Sequence, residues 1–277
     1  MRRKNKHGFD YYWRDLSSKL LYSISFMLPP RFYTLKYEGG VIRLPLRDSY
    51  RMWAKLFGSY EYEKTGFVRE YLQKGKVVID AGANVGYFTW LFASLVGPKG
   101  HVYAVEPSPE LIEELVRTLQ LAPRENVTLV PHALGETPGQ GTFYYGKLTG
   151  WGSLHYSKSH AGDLGVTIAV TVKTVDQLVD EYSIKHVDLI KIDVEDGDLA
   201  VLKGATRTLE KFSPDVLIDI DFRDPQMKHQ VWDFLASKGY RFSQFGKMMP
   251  PLDAIPENSK DLFATKAERT NGDHAEQ

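Results

Sequence analysis

Val77-Val78-Ile79-Asp80-Ala81-Gly82-Ala83-Asn84-Val85-Gly86-Tyr87-Phe88 decides how the rest of the chain is read. A short apolar run ends in a carboxylate, a turn of small residues follows, and a helical apolar pattern starts at once. This is the order strand, tight turn, helix. Glycines at 82 and 86 let the backbone approach a ligand and let the helix pack on the strand. Further apolar runs at 101–106, 127–131, 187–194 and 215–221 read as strands. Helical spacing fills 85–96, 109–121, 175–182, 198–212 and 226–238. That alternation predicts a mainly parallel sheet with helices on both faces. Two late β candidates, 240–245 and 261–266, complete seven strands.

Upstream, 33–46 reads as a hairpin around Gly39-Gly40, and 60–72 as a helix with Phe67, Tyr71 and Leu72 on its apolar side. Tyr12, Leu16, Leu20 and Ile24 recur every four residues, the spacing of an amphipathic helix packed on the domain. The alternative is a helix that docks on a membrane surface or a partner, since Arg2, Arg3, Lys4 and Lys6 precede it. The apolar run 20–28 is too short to span a bilayer, and no small-residue cleavage site follows it. The expected organisation is an N-terminal helix and hairpin over 1–59, a catalytic domain over 60–266 and a frayed tail over 267–277. Residues 135–171, rich in glycine and aromatics, are too long for a simple connection and read as a substrate-side insertion.

Lys plus Arg equals Asp plus Glu at 35 each, and cysteine is absent. The balance gives no global field for nucleic acid, and the missing thiols exclude disulfides, zinc–thiolate sites and cysteine nucleophiles. The expected location is the cytoplasm.

Two acids define the ligand. Asp80 ends the first strand of the sheet, and Glu106 ends the second, twenty-six residues later in Val102-Tyr103-Ala104-Val105-Glu106-Pro107-Ser108. An acid at that second place accepts both hydroxyls of a ribose. A dinucleotide dehydrogenase also pairs a glycine turn with an acid, but its G-x-G-x-x-G is replaced here by G-x-N-x-G. Asp80 would repel a phosphate at the turn and suits a cationic, amino-acid-like ligand. S-adenosylmethionine carries an ammonium and a sulfonium and no phosphate.

The segments I-D-A-G-A-N-V-G-Y-F-T, A-V-E-P-S-P, V-P-H-A-L-G, V-K-T-V-D-Q-L and D-L-I-K-I-D-V-E occur in order over about 60–266. Together they resemble the FkbM-type family of class I S-adenosylmethionine-dependent methyltransferases. The resemblance implies a Rossmann-like α/β fold and methyl transfer to oxygen on a sugar, glycan or natural-product hydroxyl. It also implies that Asp80, Gly82, Ala83, Asn84 and Gly86 line the methionine end of the cofactor. Glu106 would hold the ribose, Pro107 and Ser108 would flank the adenosine, and His132 and Ala133 would lie near the adenine. Lys191, Asp193 and Glu195 would face the transfer site. One departure stands out: where the family reads V-E-G-x-E, this chain has Val194-Glu195-Asp196-Gly197-Asp198.

Methyl transfer to a hydroxyl needs alignment, removal of a proton and exclusion of water. The base candidates are Asp193 and Glu195 on the fourth strand and Asp219 and Asp221 on the fifth. Asp193, Asp219 and Asp221 together are a candidate magnesium or calcium site. Asp198 reads as a helix-start acid. Lys191 either neutralises these acids or orients a substrate. In Thr149-Gly150-Trp151-Gly152-Ser153-Leu154-His155-Tyr156, Trp151 and Tyr156 are candidates for stacking on a sugar, and His155 is an alternative base. An RNA or protein methyltransferase and a non-catalytic cofactor-binding module are the competing readings.

Overall fold

The strand that opens the glycine turn lies well inside a seven-stranded sheet. The computed structural model describes residues 4–29, 31–47, 50–58, 60–146, 152–153, 164–194, 197–219, 225–243 and 261–266. Along the chain come α1 (Lys4–Ile24), a single 3-10 turn (Ser25–Met27), the hairpin β1 (Phe32–Tyr37) and β2 (Gly40–Pro45), α2 (Tyr50–Phe57) and α3 (Tyr62–Tyr71). The first alternating units are β3 (Val77–Ala81), α4 (Tyr87–Val96), β4 (His101–Val105), α5 (Pro109–Leu121) and β5 (Val127–Val130). A smaller sheet contributes β6 (Ala133–Leu134), β7 (Gly139–Gly146), β8 (Gly152–Ser153) and β9 (Leu164–Lys173). The chain continues with α6 (Val175–Glu181), β10 (Leu189–Ile192), α7 (Asp198–Lys203), α8 (Thr206–Phe212), β11 (Asp215–Asp219), α9 (Pro225–Ser237), β12 (Tyr240–Ser243) and β13 (Asp261–Lys266).

The large sheet has the order β12-β13-β11-β10-β3-β4-β5. Every neighbouring pair from β11 to β5 is parallel, and β13 enters antiparallel between β11 and β12. This is the Rossmann-like class I methyltransferase arrangement. The sequence order reverses between β3 and β10, so the crevice beyond their carboxyl ends is where such sheets bind ligands. Alternation along the strands divides two cores. Val77, Ile79, Ala81, Ile190 and Ile218 pack on one face. Val78, Leu189, Leu217 and Phe263 pack on the other, with α4 and with Ile42, Leu44 and Met52 from the N-terminal segment.

Period-two alternation then puts Asp80, Lys191, Asp219 and Asp261 on the second face, at the end where the apolar rows stop. Register supports this, with Lys191 opposite Asp80 and Asp219 opposite Asp261.

Several expected elements are differently bounded. Helix α2 is not foreseen in the sequence pattern, 198–212 is broken into α7 and α8 at Gly204-Ala205, and the fourth strand spans only Leu189–Ile192. The insertion builds a four-stranded sheet ordered β6-β9-β7-β8. The largest correction concerns α1. Tyr12, Leu16, Leu20 and Ile24 do not pack on the domain but are exposed. The helix docks by its other side, where the small Ser18 allows close approach and its hydroxyl donates to Trp53 O at 3.5 Å.

Gly82 is where the backbone is tightest. Its φ is +79°, and a Cβ there would lie 1.9 Å from the carbonyl oxygen of Asp193. Gly39, at φ +72°, has nothing within 4 Å of the same position. Gly39→Ala is therefore expected to lose about 1 kcal/mol from backbone strain alone. Gly82→Ala should lose about 3 kcal/mol or more, because β3 and the segment after β10 must separate as well. Denaturant unfolding of both variants checks the difference.

Candidate functional site

Asp80 is fully buried at the end of β3. Thr89 of α4 donates to its Oδ2 at 2.6 Å. Its Oδ1 lies 3.2 Å from Lys191 Nζ but receives no hydrogen bond. A buried acceptor in that state is stabilised by any ligand that brings a donor. The turn continues with the N–H groups of Gly82 and Ala83 both donating to Val105 O, at 3.0 and 2.9 Å. Asn84 adopts a left-handed φ of 54°. This aims its N–H at Glu106 Oε2, 2.8 Å away.

Glu106 receives a second backbone hydrogen bond at Oε1, from Ser108 N–H at 3.0 Å. Burial pushes its carboxyl up to about 7, against these two hydrogen bonds. Each oxygen accepts one N–H and keeps a second lone pair, enough for the two hydroxyls of a ribose. Ser108 caps α5 through Leu111 N–H at 3.3 Å, and Pro109 follows at the first turn. His132 follows β5 and is partly exposed, with burial and then Lys173 drawing its imidazole below the usual value. Ala133 is buried in β6. The sites predicted at 80–86, 106–108 and 132–133 thus follow three adjacent parallel strands at one sheet edge.

The charges beside them form a second layer. Lys191 is buried, 3.2 Å from Asp80 and 3.4 Å from Asp193, and its ammonium donates to Gly82 O at 3.5 Å. Burial draws Lys191 down, but Asp80 and Asp193 outweigh it and hold the ammonium above its usual value. This favours the neutralising role for Lys191. Burial also acts on Asp193, yet Lys191, Lys64 and Lys55 together keep its carboxyl below the ordinary range.

Lys64 belongs to no motif, yet it is buried and reaches Glu61 at 2.8 Å, Asp219 at 3.2 Å and Asp261 at 2.7 Å. Asp219 is pushed up to about 7 by burial, despite Lys64 and with the help of Asp193. Glu61, Asp193 and Asp219 bring carboxylate oxygens within 4.8 Å of one another. Of the three acids read as a metal set, Asp193 and Asp219 therefore meet, and Glu61 joins them. Lys64 already supplies a cation to Glu61 and Asp219. Lys55 of α2 is buried, lies 4.7 Å over the ring of Tyr60, and makes no hydrogen bond or ion pair with the described residues. Burial brings it down to about 8. Among the described residues, five carboxylates (Glu61, Asp80, Asp193, Asp219, Asp261) pair with two ammoniums (Lys64 and Lys191), with that of Lys55 nearby.

Asp198 is buried at the start of α7, and its Oδ1 accepts from Val194 N–H at 3.5 Å, a local structural bond. Glu195, Asp196, His155, Asp221, Trp151 and Tyr156 lie outside the described residues. Lys55, Glu61, Lys64 and Asp261 were missed because none sits in a motif. Their grouping depends on partners far away along the chain.

The profile of the family described as Methyltransferase FkbM domain matches residues 80–242, more than half of the chain. The chain belongs to the FkbM methyltransferase family. Among individual relatives, the hexuronic acid methyltransferase AglP of Haloferax volcanii is 28% identical over 177 residues, covering 62% of this chain and 68% of its own. A protein-L-isoaspartate O-methyltransferase of Methanothrix thermoacetophila is 44% identical over 59 residues. That match spans 21% of this chain and only 28% of the relative's length. The solved FkbM methyltransferase of Methylobacillus flagellatus aligns at 15% identity with a TM-score of 0.47, over 78% of this chain and 54% of its own.

Lys64→Met would leave three carboxylates without their shared cation. At pH 8 the variant is expected to lose about 3–5 kcal/mol, the range for breaking a buried pair. Asp219 and Asp261 have folded values already raised above the ordinary 3.8 by burial. The folded state therefore binds more protons than the unfolded one between those values, and stability rises as pH falls through that window. The gap between variant and wild type should narrow by pH 5, as melting temperatures at both pH values would reveal.

Proposed function

We propose that the protein transfers the methyl group of S-adenosylmethionine to a hydroxyl of a sugar, glycan or small natural product. The observation that carries this reading is the pairing of Asp80, whose buried Oδ1 is ion-paired to Lys191 but accepts no hydrogen bond, and Glu106, with both oxygens fixed by Asn84 and Ser108. Membership of the FkbM family supports the cofactor, and similarity to a hexuronic acid methyltransferase supports a sugar acceptor. The balanced charge of the chain favours a small acceptor over nucleic acid.

When bound, the cofactor supplies an electrophilic methyl group on a positively charged sulfur. Asp80 and the backbone of 82–86 would hold its amino-acid end, Glu106 its ribose, and Pro107, Ser108, His132 and Ala133 would border the adenosine. Lys191 fixes Asp80 and Asp193 relative to one another. A base must take the acceptor's proton, and a group titrating near working pH does this best. Asp193 is held too firmly ionised to be a strong base. Lys55, buried over the Tyr60 ring close enough to Asp193 to feel its charge and drawn down to about 8, is the candidate this reading takes.

S-adenosylhomocysteine should bind in calorimetry, with no comparable binding of NAD. Ribose hydroxyls donate to the ionised form of Glu106, so binding lowers its pKa and releases a proton. Affinity should therefore rise with pH through about 7. Glu106→Gln should abolish that rise and weaken binding by about 1.5–3 kcal/mol. Equal affinity for NAD, or an unchanged pH profile in the variant, overturns the assignment.

The base is tested by single-turnover rates with a panel of hydroxylated acceptors. Lys55→Met should slow transfer by about 10²–10⁴. It should also remove the limb of the pH–rate profile near 8, with S-adenosylhomocysteine affinity unchanged. Asp193→Asn should keep that limb. The opposite pattern returns the role to Asp193.

A further inference from the structure

Helix α1 turns its apolar side away from the protein. Tyr12, Trp13, Leu16, Leu20 and Ile24 are exposed, with Tyr12 at 61% and Leu20 at 65%, and Met27 just beyond them reaches 87%. At about 100° per residue those five side chains fall within a sector of about 120°. The opposite side carries Ser18 and Ser25, both buried, and partly buried Leu21. There Ser18 and Arg14 donate to Trp53 O and Phe57 O of α2. Much of the apolar stripe therefore faces away from the contact with α2, and a contiguous exposed apolar face of this kind marks an interaction surface.

Charge says what it meets. Residues 1–31 carry Arg2, Arg3, Lys4, Lys6, Arg14, Lys19 and Arg31 against Asp10 and Asp15, an excess of five positive charges in a chain whose net charge is zero. Arg14 pairs with Asp10 at 3.2 Å and Lys19 with Asp15 at 2.7 Å, so the excess sits in the four cations before Asp10 and in Arg31. Arg31 also lines a concavity of about 530 Å³ with Arg43 and Arg117, whose guanidiniums share Glu114. No helix among the described residues is long and apolar enough to cross a membrane. An aromatic and aliphatic face combined with flanking cations is the composition of a helix that lies in the headgroup layer.

We propose that α1 docks the protein on the surface of a membrane rich in anionic phospholipid, with the Tyr12–Ile24 stripe in the acyl boundary and the N-terminal cations among the headgroups. The test is co-sedimentation of the full chain with vesicles of phosphatidylcholine, or of phosphatidylcholine with about a third phosphatidylglycerol. Wild type should sediment with the anionic vesicles, remain largely free with neutral ones, and be released by added salt.

Leu16→Ser/Leu20→Ser/Ile24→Ser removes only exposed side chains, so its melting temperature should match wild type while its partition falls about tenfold or more. Arg2→Ser/Arg3→Ser/Lys4→Ser/Lys6→Ser should lose the preference for anionic lipid. Sedimentation with neither vesicle, or equal binding by the triple-serine variant, overturns the proposal. So does a dimer in light scattering that the triple-serine variant dissolves, since the stripe would then cover a second copy of the chain.

Discussion

A single ammonium, that of Lys64, meets carboxylates from α3's own entry, from β11 and from β13. It lies where the second face of the sheet runs out of apolar side chains and begins to carry charge. Next to it Lys191 does the same for Asp80 and Asp193, and the ring of Phe88 lies 5.6 Å from one ammonium and 5.4 Å from the other. Burial makes each ion expensive alone and strongly coupled to its partners. The N-terminal helices, the parallel strands and the final strand are thereby tied to one another at the edge where a ligand would bind. Packing of Val68, Phe67 and Tyr71 also holds α3 on the sheet, and the shared cation adds a charged tie at its entry.

The same economy of parts explains the turn. Asp193 O fills the space a side chain at 82 would need, so the segment after β10 presses directly on the glycine turn. Glu106 clasps that turn through Asn84 N–H and the start of the next helix through Ser108 N–H. A change in the ionisation of Glu106 is consequently a change in the geometry of the loop as well as in its charge. Lys55 differs from the other two cations in having no ion pair among the described residues, so burial outweighs the more distant Glu61 and Asp193 and draws it toward neutrality.

Strand, turn and helix over 77–96 were legible because each signal is local: β-branched alternation, a left-handed glycine, an apolar helical stripe. The capping Ser108 before Pro109 fixed the start of α5 in the same way. Asp80 and Glu106 could be placed because strand ends are readable. Lys64 could not, since its significance depends on Asp219 and Asp261, more than 150 residues away. Periodicity also misled at α1. A four-residue repeat names the residues that share a face, but it does not say whether that face turns inward, and here Ser18 and Ser25 do. The small sheet of β6 to β9 was hidden because glycine-rich and aromatic stretches read equally well as loop.

Strand β13 is made last but does not stand last in the sheet. It slots between β11 and β12, and β12 pairs with no other strand among those described. During synthesis β11 therefore presents an open, apolar edge from the moment it forms until residues 261–266 emerge. An edge of that kind is a template for pairing with other chains. Lys64, meanwhile, is short of one of its three carboxylates. A ribosome that stalls between 243 and 261 would hold a sheet missing an interior plank rather than a trimmed margin, and quality control would meet an aggregation-prone chain, not a shortened enzyme.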